Sequence, residues 1–509
     1  MSLEPKRIAF FLWNVWFFRN FAGVLGELAA RGHQVTIVLQ RVETEPSALR
    51  ALDALLERWP NLQVKVLPER SDALGPLAKT LSRAVEYLYF HRPVFTDKPI
   101  LRIRMRHRTH PMIRLLISPF AHLLREPALR VLIGLERALP RSQTIIESLR
   151  ELRPDLAVFS PLIDVAIAQF EHVRCAQRLG VPTLFAVHSW DNLSTKSLLR
   201  EQTDAVAVWN FRQVEEALSF HGVARERVSV TGAPTYDRCF DVSLTETRDQ
   251  FLSRLSLDPN ERTILYLSSA TFGFRERPEA DFARRWVAAI RSANDPRVAR
   301  ANIIIRPHPR RGTEWADCQE LPPGVVVFPK QGENTADEAS FETYALSLSH
   351  ADCVVGINTS AMIEAGIFGK PVLTVLDPSH ADSQTGTFHF QYLLGNEDER
   401  VLLRAAKSFS EHVAQLTETF DRSSERSAAA RAFATAFVRP LGADIRATDR
   451  FVTLVEDLCA KPAQVSSPAV RATRMQRAAV PVFAAVSAFI RLAHLMLGPM
   501  RGGSARGTK

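Results

Sequence analysis

The chain has 509 residues, 46% of them hydrophobic and 23% charged, and a formal net charge of +9. That length exceeds one ordinary domain, and so much apolar residue builds large cores, which excludes a disordered chain or a small disulfide-stapled one. The five cysteines, Cys175, Cys239, Cys318, Cys353 and Cys459, form no CxxC and no Cys/His cluster, so neither a disulfide framework nor a zinc site is expected, and a reducing compartment is.

The sequence MSLEPKRIAFFLW runs straight into an apolar strand with no small-residue cleavage site, so no signal peptide is expected and a cytoplasmic location is. Residues 6–12 read as a strand, 21–30 as a helix with Phe21, Leu25, Leu28 and Ala29 on one face, and 34–39 as a second strand after Gly32. This βαβ unit opens a doubly wound domain. Its connecting loop, WNVWFFRN, lacks the GxGxxG fingerprint, so no nicotinamide or flavin cofactor is expected. A helix at 49–58 and a strand at 64–67 follow.

Between residues 87 and 141 the pattern changes. From His91 to Arg141 eleven Lys/Arg stand against three Asp/Glu, and from Arg471 to Lys509 seven stand against none, so two segments carry the basicity of an otherwise acidic chain. Anionic membrane and nucleic acid are the usual partners of such patches. No recognition-helix or RNA-binding motif is present, so nucleic acid is not expected. The apolar runs of the insert are too short to span a bilayer; an amphipathic basic insert on a membrane surface and a buried helical subdomain with outward arginines both fit.

From residue 154 the α/β rhythm resumes with a strand at 156–159, a helix at 165–179 and a strand at 183–187. HSWDNLSTK follows at the strand end, where open α/β sheets bind ligands, and brings His188, Asp191, Asn192, Ser194, Thr195 and Lys196 together. A strand at 205–208, a helix at 211–221 and a strand at 227–231 lead to TGAPTYDRCF, which closes the first half near residue 240. The second half restarts with a strand at 263–267 running into SSATFGF, a helix at 278–292, a strand at 303–305 ending in RPHPR, a strand at 325–328 and a helix at 341–349.

The clearest strand, turn, helix, strand signal is 352–377, DCVVGINTSAMIEAGIFGKPVLTVLD. An apolar strand at 353–357 meets the N-cap residue types Asn358, Thr359 and Ser360, a helix of about ten residues ends at Gly369 and Pro371, and 372–376 is the next strand. Residues 398–420 and 424–459 read as largely helical. After a Pro/Ser linker at 461–468, residues 474–500 read as an apolar helix with basic ends, suited to a membrane interface rather than a full span.

Three loops of the second half then converge on one sheet edge: Ser268, Ser269 and Thr271; Arg306 and His308; and Asn358, Thr359, Ser360 and Glu364. Hydroxyls, a guanidinium, an imidazole and free N–H groups suit a phosphate or diphosphate, and a carboxylate suits ribose hydroxyls. A Ser360 that only caps and a Glu364 that is only solvated is the plainer alternative.

The two-domain βα layout, RPHP and the NTS turn with its helical Glu resemble GT-B glycosyltransferases, especially bacterial surface-polysaccharide enzymes. Sialyl- and polysialyltransferases and glycerophosphotransferases of that group hold a cytidine nucleotide's phosphates with His-Pro and Ser/Thr motifs. The resemblance implies that His308 and Thr359 or Ser360 hold phosphate, and that Glu364 is the nucleoside-binding carboxylate. The base would come from the first half: His188 and Asp191, with Asp164 and Asp237 behind them. His380, Asp382, Ser383 and Thr385 would form a further donor contact or a lid. No DxD motif stands out, so neither metal nor cofactor is expected.

The expected architecture is α/β, two Rossmann-like doubly wound domains facing a cleft: 1–240 for the acceptor with a basic helical insert at about 87–141, 241–445 for the nucleotide donor, and 446–509 as a C-terminal helix, linker and membrane-associating tail. The expected partners are a nucleotide-sugar donor, a surface-polysaccharide or lipid-linked glycan acceptor and an anionic membrane surface. A glycerophosphotransferase with a CDP-activated donor, an isomerase resembling UDP-N-acetylglucosamine 2-epimerases and a non-catalytic nucleotide-sugar binding protein are the alternatives.

Overall fold

A strand with parallel neighbours on both sides and helices on both faces has no solvated side, and so needs continuous rather than alternating apolar sequence. TILYL, NIIIR and CVVG meet that requirement, and every one of their residues is buried. In the computed structural model, which describes residues 4–42, 45–67, 69–121, 124–164, 167, 169–270, 278–315, 321–394, 401–460 and 486–488, such strands form two sheets with every described pairing parallel.

The first sheet comprises β1 (Arg7–Leu12), β2 (Gln34–Leu39), β3 (Leu62–Val66), β4 (Leu156–Ser160), β5 (Thr183–Ala186), β6 (Ala205–Val208) and β7 (Val228–Val230), in the order β3-β2-β1-β4-β5-β6-β7. The second comprises β8 (Thr263–Leu267), β9 (Asn302–Arg306), β10 (Val325–Val327), β11 (Cys353–Gly356), β12 (Val372–Val375) and β13 (Leu403–Ala406), in the order β10-β9-β8-β11-β12-β13. Strand order reverses between β1 and β4 and again between β8 and β11. Each reversal opens a crevice at the carboxyl ends of the strands, where a ligand can enter.

Successive side chains of a strand point to opposite faces, so each sheet builds two cores. Phe10 packs on one face of the first sheet with Val24, Leu25 and Leu28. Phe11 packs on the other with Ile146, Phe170 and Val173. The helix Ala447–Ala460 returns to the first sheet, where Phe451, Val452 and Val455 join the core of Phe10.

Several local expectations are corrected. Residues 398–420 are not all helical: Leu403–Ala406 pairs with β12 as an edge strand. Its sequence, LRAA, has no β-branched residue, and only the neighbouring strand makes it β. The helix after the NTS turn is Ala361–Ile367, seven residues long, and Ser360 makes no side-chain cap. A Cβ on Gly366 would lie 2.8 Å from Ala434 Cβ and from Leu402 Cδ1, so glycine is what lets this short helix press against Ser423–Val438. Within the expected helix 165–179, Gln169–Arg178 is helical.

The basic insert is a helical subdomain that begins earlier than 87. Gly75–Tyr89, Pro99–Arg108, Pro111–Ile117 and Arg125–Ala138 surround a core of Leu88, Phe90, Phe95, Leu101, Met105 and Leu129. Its arginines do not all face outward: Arg104 is buried and donates to the Thr195 carbonyl. No helix of the described residues is long and apolar enough to cross a membrane. Thr271 and all of 474–500 except 486–488 lie outside the described residues.

Candidate functional site

At the carboxyl end of β8 the chain turns through Ser268 and Ser269 onto a carboxylate the sequence reading passed over. Glu279, fully buried, accepts from Tyr266 OH at 2.8 Å, Ser268 Oγ at 3.0 Å, the Ser269 N–H at 2.8 Å and Arg311 Nη1 at 3.4 Å. Burial raises its carboxyl to about 7 against those donors. Ser269 Oγ accepts the Asn358 N–H at 3.1 Å, which ties β8 to β11 across the reversal of the second sheet. Ser268 and Ser269 are thus committed to the frame of the crevice.

Arg306 ends β9 and lies under the helix Glu338–His350, its guanidinium 5.0 Å from the Tyr344 ring and 3.4 Å from Ser347 Oγ. Burial lowers it to about 10, within the charged range at neutral pH. Its Nη2 is buried without a hydrogen-bond partner among the described residues, the nearest carboxylate oxygen being that of Glu333 at 3.9 Å. His308 is held by its own loop: its Nδ1 accepts the Arg310 N–H at 3.1 Å, which leaves the proton on Nε2 as a donor. Burial, then Arg19, Arg310 and Arg311, lower it to about 3, so the ring is neutral. A Cβ on Gly332, at φ 69°, would lie 2.9 Å from the Pro307 carbonyl oxygen, and this close approach locks the RPHP loop against the turn after β10.

Glu364 accepts from Tyr344 OH. Burial raises its carboxyl, against that hydrogen bond and the fields of Arg238, Arg19 and Arg306. Three guanidiniums from three parts of the chain therefore act on one carboxylate. Arg19 belongs to the aromatic loop after β1: Asn14 caps the 3-10 turn Val15–Asn20, and Arg19 Nη1 donates to Asn334 Oδ1 of the other half at 3.1 Å. Trp16 in the same turn stacks under Arg310, 4.6 Å from the ring centre.

Across the cleft, His188 follows β5. Its Nδ1 lies 3.1 Å from Asn192 Oδ1, and Asn192 Nδ2 donates to the Ile163 carbonyl at 3.0 Å. That second bond orients the amide, so Nδ1 carries the proton and Nε2 presents a lone pair. Burial and Lys196 lower His188 to about 4, against Asp191 and Asp164. Gln169 steadies Ile163 from behind, accepting the Leu162 N–H at 2.8 Å and donating to the Ser160 carbonyl at 2.9 Å, with Leu162 held at φ 48°.

Asp191 accepts from Ser189 Oγ at 2.6 Å and Thr195 Oγ1 at 3.0 Å, and pairs with Lys196 at 3.6 Å. Burial opposes its ionisation, but Lys196, His389 and Ser189 outweigh it and hold the carboxyl well below the usual range. Lys196 also reaches Asp164 at 3.9 Å. Asp237 stands elsewhere: it accepts from Arg439 Nη2 at 2.7 Å and from the Thr448 N–H at 2.7 Å, where the chain returns to the first sheet. Its carboxylate is used up by the join.

Within the second half, Asn358 Nδ2 donates to the Ser383 carbonyl and lies 3.3 Å from His389 Nε2. His389 packs edge-on to Trp190 at 4.6 Å. Thr359 Oγ1 accepts the Ala361 N–H at 3.4 Å, and Ser360 is exposed. The 380–385 segment is packed rather than open: His380 is buried edge-on to Phe282, Ser383 Oγ donates to the His380 carbonyl, and Lys98 of the insert donates to the Thr385 carbonyl at 3.0 Å. Asp382 is exposed. Among the described residues no cluster of three or more His, Cys, Asp or Glu could hold a metal ion.

No protein-family model and no curated protein matches the chain. Solved structures do. A complex of S. aureus MnaA with UDP is 11% identical, with a TM-score of 0.50, over 89% of this chain and 96% of that one. A structure assigned as a UDP-N-acetylglucosamine 2-epimerase of Listeria monocytogenes is 12% identical, TM-score 0.50, over the same shares. The calicheamicin glycosyltransferase CalG4 is 15% identical, TM-score 0.46, over 89% and 98%. At such identities the likeness is one of fold, and the chain has the GT-B fold of two Rossmann-like domains facing a cleft.

Proposed function

We propose that the protein is a glycosyltransferase that moves a sugar from a nucleotide-sugar donor to a surface-polysaccharide or lipid-linked glycan acceptor. The observation that carries the reading is Arg306, whose buried Nη2 has no hydrogen-bond partner among the described residues, at the same sheet edge as the Nε2–H of His308, with His188 oriented through its Nδ1 by Asn192 at the end of β5. A buried guanidinium and an imidazole N–H at one sheet edge suit a diphosphate and stabilise it as it departs. His188 Nε2 takes the proton of the acceptor hydroxyl as its oxygen bonds the sugar's anomeric carbon. The bond from that carbon to the donor phosphate breaks, and its electron pair leaves on the diphosphate beside Arg19, Arg306 and the Nε2–H of His308. Asp191 and Asp164 lie close enough to favour the imidazolium that forms.

UDP in the MnaA complex makes a uridine nucleotide the first donor to try. In a thermal-shift panel of UDP, GDP, CDP, CMP and dTDP, one diphosphate is expected to stabilise the protein selectively, by about 3 kcal/mol at a hundredfold excess over Kd. His308→Ala and Arg19→Gln are expected to remove the shift; shifts that survive both substitutions refute the phosphate assignment. The Listeria structure favours an epimerase as the second reading. Nucleotide release decides between them: a transferase frees one nucleoside diphosphate per acceptor modified, whereas an epimerase alters the donor with none freed and no acceptor needed.

A further inference from the structure

A cavity outside the cleft lies at the basic insert. It is about 380 Å³ and is lined by Arg70, Lys79, Arg83, Arg108 and His110, with Asp72 as its acid. Arg70 is committed to Asp72 at 2.7 Å. Lys79 and Arg83 lean on Glu69 and Glu86, neither of which lines the cavity. Arg108 makes no ion pair among the described residues. The cavity is therefore cationic and suits an anion.

Immediately beside it the insert is apolar where water should forbid it. Ile113 lines the cavity, and Leu115 and Leu116 on the same helix, Pro111–Ile117, are 77% and 67% exposed. Met112 joins them at helical spacing, and Phe120 follows, also exposed. A soluble surface seldom gathers such residues, and the exposed Arg106 and Arg108 at the end of the preceding helix match an anionic bilayer, where apolar side chains sink and cations meet phosphate. Ser487, in the described piece 486–488, donates to the Ala73 carbonyl beside the cavity.

The cavity is also wired to the cleft. Arg104, which donates to the Thr195 carbonyl in the loop of His188 and Asp191, precedes Arg108 by one helical turn, about 6 Å along the axis.

We propose that this pocket receives the phosphate group of a membrane lipid while Met112, Leu115, Leu116 and Phe120 seat in the acyl boundary. Within the transferase reading, on which this step rests, a phosphate-bearing lipid is the acceptor class; the binding itself does not depend on that reading.

The test is co-sedimentation of the full chain with phosphatidylcholine vesicles containing phosphatidic acid, or phosphatidylglycerol at matched surface charge, at physiological ionic strength. The protein is expected to prefer the phosphatidic acid vesicles, because a pocket recognises a terminal phosphate and a diffuse field counts only charge. Lys79→Gln with Arg108→Gln, both on the surface, should cut phosphatidic acid binding by roughly tenfold or more and erase the preference. Leu115→Ser with Leu116→Ser should weaken binding to both vesicles. Inorganic phosphate matched to the accessible lipid phosphate should release nothing.

Equal binding to the two vesicle types, a preference that survives the charge substitutions, unaltered binding after the leucine substitutions, or release by free phosphate would each overturn the proposal. A nucleotide thermal shift on the same charge variant keeps the two readings apart. It should equal that of the unaltered protein, and absence of any shift in both refutes the transferase reading while leaving the lipid result standing.

Discussion

His188 shows how much of a site depends on which atom carries the proton. Its place at a strand end is readable in sequence, but its tautomer is set by Asn192, whose amide is oriented by the Ile163 carbonyl on another strand's loop. We expect His188→Gln to lower turnover by roughly 10²- to 10⁴-fold while the nucleotide thermal shift stays intact, a split that a merely structural role would not produce. Because burial and Lys196 hold its ring at about 4, turnover should stay flat from neutral pH down to about 5 and fall as pH drops through 4; a pH-rate profile with its acidic limb near 6.5 would contradict this. Arg19, Glu279 and His389 escaped the sequence reading because each acquires its meaning from partners on other elements. Arg19 alone had a signal: it follows the first strand's carboxyl end, where ligands bind.

Elements were legible where period and punctuation agreed. The run ending at Gly356, the glycine at 369 with φ 68° and the strand at Val372–Val375 follow from residue types alone. β13 was not legible, since LRAA becomes a strand only because β12 offers an unpaired edge. The helix Phe409–Asp421 carries a different kind of cost. His412 on its inner face is fully buried near Trp286, and neither ring nitrogen has a hydrogen-bond partner among the described residues. Burial lowers it to about 3. A folded pKa below the unfolded value of about 6.5 means stability that is present above 6.5 and is lost as pH falls towards 3, about 2 kcal/mol of it by pH 5. His412→Leu should therefore raise the melting temperature more at pH 5 than at pH 7.5, and equal shifts at the two pH values would refute the assignment.

At the scale of the whole molecule, the halves are joined by polar contacts at several places. Asn334 Nδ2 donates to Glu45 Oε2 at 2.9 Å, Ser47 Oγ donates to the Asn334 carbonyl at 2.8 Å, and Tyr392 OH donates to Glu216 Oε1 at 2.6 Å. The strongest join is Asp237, buried with Arg439 and two backbone N–H groups of the helix that returns to the first sheet. Removing one partner of such a pair strands a buried charge, so Asp237→Ala should cost about 3–5 kcal/mol of stability in denaturant unfolding, with nucleotide still stabilising what folds. A cost near zero would show that the join carries no load. Apolar runs broken by glycine and proline were enough, in the sequence alone, to establish two parallel α/β halves and the basic insert, because burial on both faces of a sheet and net charge are properties of local composition. Which groups meet in the cleft, that Asp237 pairs with Arg439 where the chain returns to the first sheet, and that the insert's cations gather into a cavity beside exposed leucines were decided only by the tertiary structure, since hydrogen bonds and ion pairs between distant residues leave no periodicity to read.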